Sequence, residues 1–175
     1  ILIALPVVLV ILLVLVALQP SDYRITRSLA IGAPPDAVFP HVNELKQWEA
    51  WSPWGKVDPN MKLTYAGPAS GVGASYAWAG NKEVGEGRST IAESRANELV
   101  RFDFEFFKPM TAVSTAEFTF RPQGNQTQVT WITSGRKDFM TKTVCLFMSM
   151  DKMIGGRMAM GLADLKTVVE TGTKK

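Results

Sequence analysis

Val100-Arg101-Phe102-Asp103-Phe104-Glu105-Phe106-Phe107 decides the fold class. Val100, Phe102, Phe104 and Phe106 alternate with Arg101, Asp103 and Glu105. Successive side chains of a strand point to opposite faces, so this stretch has one apolar and one charged face. Such a strand belongs to an antiparallel sheet with a core on one side and water on the other.

The same pattern extends outward. Ala116, Phe118 and Phe120 alternate with Thr115, Glu117 and Thr119, and Pro122-Gln123-Gly124-Asn125 supplies a turn. Val129 and Trp131 flank Thr130, less cleanly because Ile132 falls on the other face. Upstream, Leu63 with Tyr65 and Tyr76 with Trp78 mark two strands, and Gly85 and Gly87 flank the start of another over Arg88–Ser94. A first strand is predicted from Tyr23 to Ile31, ended by Gly32-Ala33-Pro34-Pro35. Asp36 is placed to cap a short helix that Pro40 limits, and Asn43 to cap a second over Glu44–Ala50. About seven strands result.

The tail changes period. Leu146, Met150, Met153, Ile154, Met158, Gly161, Leu162, Leu165, Val168 and Val169 recur at three and four residues, which predicts a long amphipathic helix. Gly155-Gly156 interrupts it and permits a bend or a close approach. The order is α+β, and the long helix is expected to pack across the buried face of the sheet. A curved sheet around one helix tends to leave a cavity between them.

Residues 1–18 carry no charged or polar side chain. As a helix they would extend roughly 27 Å, near the thickness of a hydrocarbon core. Pro6 lies near the helix start, where its missing hydrogen bond costs least. A cleaved signal peptide would have a shorter apolar core and a small-residue cleavage site, which Leu15-Val16-Ala17-Leu18-Gln19 does not offer. The expectation is a single-pass anchor from Ile1 to Leu18, a short linker over residues 19–22 and one domain over 23–175. The chain begins without Met, and a short segment is expected to precede Ile1; orientation turns on whether that segment is basic. If it is, the positive-inside rule would put the domain on the periplasmic side of a bacterial inner membrane. Arg24 and Arg27 are placed to touch anionic headgroups, which argues for the other side.

No catalytic constellation is legible. His41 is the only histidine, without a second His or a Cys pair near it to build a metal site. Cys145 is the only cysteine, so no intramolecular disulfide can form. There is no Gly-x-Ser-x-Gly, and Gly80-Asn81-Lys82-Glu83-Val84-Gly85 lacks the Lys-Ser/Thr of a phosphate loop. Asp103 with Glu105 face water, and Glu83 with Glu86 sit in a glycine-rich turn. A net charge of +3 without a basic stripe excludes a nucleic-acid footprint. No cofactor is called for. Trp48, Trp51 and Trp54 lie close together, as a core plug or as a cavity rim facing lipid. Met140, Met148, Met150, Met153, Met158 and Met160 cluster in one stretch, where helical spacing favours core packing.

The segment 33–39 (Ala-Pro-Pro-Asp-Ala-Val-Phe), Trp48-x-x-Trp51-Ser52-Pro53-Trp54, Gly71-x-Gly73, Trp78-x-Gly80-Asn81, Gly85-x-Gly87 and Gly161-Leu162-x-x-Leu165-Lys166 occur in an order that resembles the SRPBCC helix-grip superfamily. That superfamily includes START lipid-transfer domains, pollen-allergen-like proteins and polyketide cyclase/dehydrase-like proteins. The likeness covers about residues 22–171, and points to a bacterial branch that often carries an N-terminal anchor. It implies a curved antiparallel sheet around a C-terminal helix with an internal apolar cavity. It does not imply catalysis, since one fold hosts many functions. The leading expectation is a membrane-tethered, non-catalytic domain that binds a hydrophobic small molecule or lipid. Tyr65, Tyr76, Trp78, Phe104, Phe118 and Trp131 would line the sheet side of the cavity, and Met150, Met153 and Met158 the helix side. Membrane lipids are expected partners. The alternatives are an accessory subunit docked to a larger membrane complex, and a cyclase or dehydratase.

Overall fold

The structure, a computed structural model, describes residues 4–146 and 148–172. Helix α1 (Ala4–Leu18) leads into β1 (Asp22–Ile31), α2 (Pro35–Asn43), a 3-10 helix (Leu45–Ala50) and α3 (Pro53–Val57). Six strands follow: β2 (Lys62–Ala66), β3 (Ser75–Ala79), β4 (Glu86–Arg95), β5 (Leu99–Lys108), β6 (Ala112–Gln123) and β7 (Gln126–Arg136). Then come α4 (Phe139–Cys145), a π-helical turn (Asp151–Gly155) and α5 (Gly156–Gly172).

The seven strands form one antiparallel sheet in the order β1-β7-β6-β5-β4-β3-β2. In β5, Val100 and Phe102 are buried while Asp103 and Glu105 are exposed. On the outer face Arg101 bridges Glu93 at 2.5 Å and Glu117 at 3.6 Å. The α5 residues Met158, Leu162, Leu165 and Val169 pack onto the apolar face beside Val38, Phe39 and Val42 of α2. Gly161 lets them close: a Cβ there would fall 2.9 Å from Pro53 Cδ and 3.1 Å from Trp131 Cζ3.

Four details depart from the sequence expectation. Asp36 lies in the first turn of α2, whose N-cap is Pro34, with no side-chain cap bond. Asn43 ends α2 and accepts from Ser94 Oγ at 2.7 Å instead of capping the next helix, which is 3-10 and begins at Leu45. The C-terminal helix is divided: α4 is separate, and Gly155 ends a π-helical turn while Gly156 begins α5. At Gly155 the absent Cβ leaves room for the Arg27 guanidinium, which bonds Asp151 at 2.8 Å. Finally, among the described residues no helix is long and apolar enough to cross a membrane. The described part of α1 is 15 residues, about 22 Å of helix against a hydrocarbon core of about 30 Å. Pro6 falls within it and Leu18 ends it, while Ile1 lies outside the described residues.

Candidate functional site

The apolar face of the sheet is filled at one end and open at the other. At the filled end, Trp48 and Trp51 descend from the 3-10 helix and the residue after it. Their indole N–H groups donate to the Val42 and His41 carbonyls, each at 2.9 Å. Trp48 meets Phe102 and Phe118 at ring-centroid distances of 5.1 and 5.7 Å, and Trp51 meets Trp131 at 6.1 Å. These two tryptophans are the core plug.

Beyond them lies a cavity of about 570 Å³. Its floor is a run of aromatic side chains across β2, β3 and β5. Tyr65 and Tyr76 lie 6.2 Å apart, Tyr76 and Trp78 5.8 Å, Trp78 and Phe106 5.6 Å, and Phe104 stacks on Phe106 at 6.2 Å. Gly87 makes this floor flat, because a Cβ there would occupy the Trp78 ring. The wall facing the floor comes from residues 45–61, notably Leu45, Glu49, Trp54 and Met61, with Ile154 and Met158 alone from the C-terminal segment.

Of the nine residues expected to contact a ligand, Tyr65, Tyr76, Trp78, Phe104, Trp131 and Met158 line this cavity. Phe118 is fully buried behind it. Met150 packs against the core without lining the cavity, and Met153 is exposed, because the π-helical turn rotates this stretch away from the sheet. The cavity therefore lies mainly under the 45–61 segment, and only its margin touches the C-terminal helix. Leu63 and Phe106 were findable by the same alternation as Tyr65 and Phe104. Tyr23, Glu49, Ser114 and Thr133 also line it, and no periodicity marks them.

Polar groups are few. The Tyr65 hydroxyl donates to Glu49 Oε1 at 2.7 Å. Burial, then this hydrogen bond and the Glu49 charge, push the Tyr65 hydroxyl well above its ordinary pKa, and burial alone does so for Tyr76. Burial also raises Tyr23, partly offset by its hydrogen bond with Ser114. Asp58 is occupied structurally, accepting from the Asn60 and Asn81 backbone N–H groups at 3.0 and 2.6 Å. At the rim, the Arg157 guanidinium sits 5.0 Å from the Trp54 ring centroid and pairs with Glu83. Thus Trp54, unlike its two neighbours, is a rim residue.

Of the acidic pairs singled out in the sequence, only Glu83 reaches the cavity rim, through Arg157. Asp103 and Glu105 face water, and Glu86 bonds Lys108 at 2.8 Å. His41 Nδ1 is buried with no hydrogen-bond partner among the described residues. Burial holds the imidazole pKa below its ordinary value, against the opposing pull of Glu44. Cys145 is half-buried and unpaired. Among the described residues no group of three or more His, Cys, Asp or Glu side chains could hold a metal ion.

A family profile described as polyketide cyclase/dehydrase and lipid transport matches residues 22–170. The chain belongs to this family. A search of curated proteins by sequence found no match. Solved structures share the SRPBCC fold with it. A norcoclaurine synthase point mutant of Thalictrum flavum, in complex with a transition-state analogue, superposes with a TM-score of 0.65 at 12% identity, covering 89% of this chain and 100% of that one. A protein of Thermus thermophilus gives 0.63 at 16% identity, covering 87% and 100%. The Aha1 dimer of Colwellia psychrerythraea gives 0.62 at 18% identity, covering 86% and 98%. At these identities the likeness to the three structures is one of fold.

Proposed function

We propose that the domain binds a hydrophobic small molecule or lipid in the cavity between the β2–β3–β5 face and the 45–61 segment, with α1 tethering it to a membrane. The cavity carries this reading: about 570 Å³ floored by buried and half-buried aromatics with few polar groups. Apolar enclosure with sparse polar anchors is the general form of a small-molecule site. Glu49 and Tyr65 supply one polar anchor at its edge. The lipid transport named in the family description, and the analogue held by the norcoclaurine synthase, are in keeping with it. For the tether, the large side chains from Val7 to Leu15 described on α1 are apolar and exposed on every side. A helix apolar all round is suited to lipid, not water.

The test uses the full chain, stripped of lipid and titrated with diphenylhexatriene. Saturable fluorescence at one probe per chain is expected, and Leu63→Trp, which adds bulk to the floor, should weaken it by at least about tenfold, about 1.4 kcal/mol. No binding, or equal binding by the variant, would overturn the ligand reading. Flotation of the chain with vesicles, lost on Val10→Asp with Leu13→Asp, tests the tether.

A further inference from the structure

The methionine-rich stretch does not pack as core. Of its six methionines only Met158 is buried, and Met140, Met148, Met153 and Met160 are exposed. Helix α4 has no buried residue at all. Phe139 is 56% exposed, Met140 59% and Met148 53%, and Val144 is exposed beside them. Exposed apolar side chains clustered on a protein surface mark a contact with something apolar.

Strand register places this patch. Asp22 pairs with Arg136, Ser114 with Gly135, and Phe106 with Ala112. The exit of α1, the entry to α4 and the turn between β5 and β6 therefore lie at one end of the sheet. That end is apolar and exposed too, through Phe107 near the end of β5 and Met110 in the turn. Helix α1 packs against α4. At the opposite end of the sheet the turns read Ala96-Asn97-Glu98 and Gln123-Gly124-Asn125-Gln126, which are polar.

We propose that α4 and the β5–β6 turn form a second membrane contact, lying on the bilayer surface beside the point where α1 leaves it. This rests on the tether reading of α1. Continuity favours lipid as the occupant, because α4 packs on α1, whose described exposed side chains are apolar throughout. Charge points the same way. Asp138 is taken up by the Thr141 N–H at 2.7 Å and Asp151 by Arg27 at 2.8 Å. Both carboxylates keep their charge, but Lys137, Lys142 and Lys152, which form no ion pair among the described residues, outnumber Asp138 and the Arg27-paired Asp151 and leave this segment with an excess of positive charge. Exposed apolar side chains flanked by lysines suit a surface of anionic headgroups. Tyr23, Phe106 and Ser114 line the cavity at this same end, so docking brings that end of the cavity to the headgroups.

The experiment uses the full chain with Cys145→Ala and one new cysteine, Met140→Cys, Met148→Cys or Val72→Cys, carrying an environment-sensitive fluorophore. Vesicles contain phosphatidylcholine and phosphatidylglycerol with a spin-labelled lipid as quencher. Labels at 140 and 148 should shift to the blue and be quenched, more weakly in pure phosphatidylcholine, while the label at 72, at the far end of the sheet, stays in water. Phe139→Glu with Val144→Glu should abolish quenching at 148 while the chain still floats with the vesicles. Flotation with unquenched labels at 140 and 148 overturns the docking and leaves the tether standing. A chain that does not float overturns both. Labels that become protected as protein concentration rises, without quenching by lipid, assign the patch to a second copy and overturn the proposal.

Discussion

The two ends of the sheet's apolar face are built from the same kinds of residue and end in different states. Phe102 and Phe118 are fully buried, whereas Phe104 and Phe106, two and four positions further along β5, are half-buried at a cavity. The difference lies in what faces them. Trp48, Trp51 and α5 come down on the first pair, with Phe118 and Trp131 stacked at 4.7 Å. Over the second pair the chain runs through α3 and the residues after it, where Gly55, Asp58 and Pro59 contribute little bulk. An apolar face sets where a core can form, and the segment opposite sets whether it is filled.

The largest expected effect breaks this comparison directly. Phe118→Ala removes a fully buried ring from close packing and should cost about 3–5 kcal/mol, read from denaturant unfolding. Phe104→Ala removes a ring that already borders empty space, and should cost about 1–2 kcal/mol. Its main effect should appear in diphenylhexatriene affinity, which Phe118→Ala should change less in whatever fraction stays folded. Equal losses of stability at the two positions would mean the cavity side is packed as tightly as the core.

A smaller effect is expected at the rim. The Arg157–Glu83 pair ties α5 to the β3–β4 turn beside Trp54. Glu83 is largely exposed, so the pair is worth about 0–1 kcal/mol to folding. Glu83→Gln should leave the unfolding midpoint nearly unchanged. If the pair helps hold the rim closed, release of bound probe should quicken by up to about fivefold, since 1.4 kcal/mol is a factor of ten. Stopped-flow dilution reads that rate directly.

The sequence carried the sheet further than it carried the site. Period-two alternation reports which face a residue occupies, so Phe104, Tyr65, Tyr76 and Trp78 could be assigned to the apolar face. It says nothing about filling, which is why Phe118 and Phe104 looked alike. Helical spacing failed similarly at Met150 and Met153. The pattern continues through both, but the π-helical turn at Asp151–Gly155 adds a residue to the turn and changes which side faces the sheet. Glu49 and Trp54 lie in short, irregular helices without a period to read. The N-terminal run is the reverse case: its composition was plain, but the described helix gives only its length and its exposed side chains.

The smallest effect probes the filled end through His41, whose carbonyl accepts the Trp51 indole N–H. Its imidazole is held below the ordinary value of 6.5 by burial. Between that depressed value and 6.5 the unfolded chain binds more protons than the folded one, so stability rises with pH through this window. The contribution is present above pH 6.5 and is lost as pH falls through the folded value. Protonation would also place a second N–H where Nδ1 has no acceptor among the described residues. His41→Gln should therefore flatten the acid side of the stability profile relative to the parent chain, with the two curves parallel above pH 7. Glu44→Gln should do the opposite, because removing the charge that raises the His41 pKa widens the gap between folded and unfolded values. The Phe104→Ala variant, altered at the cavity end, should keep the parent's pH dependence. If it shares the flattened profile of His41→Gln, the two ends of the sheet are coupled rather than independently packed.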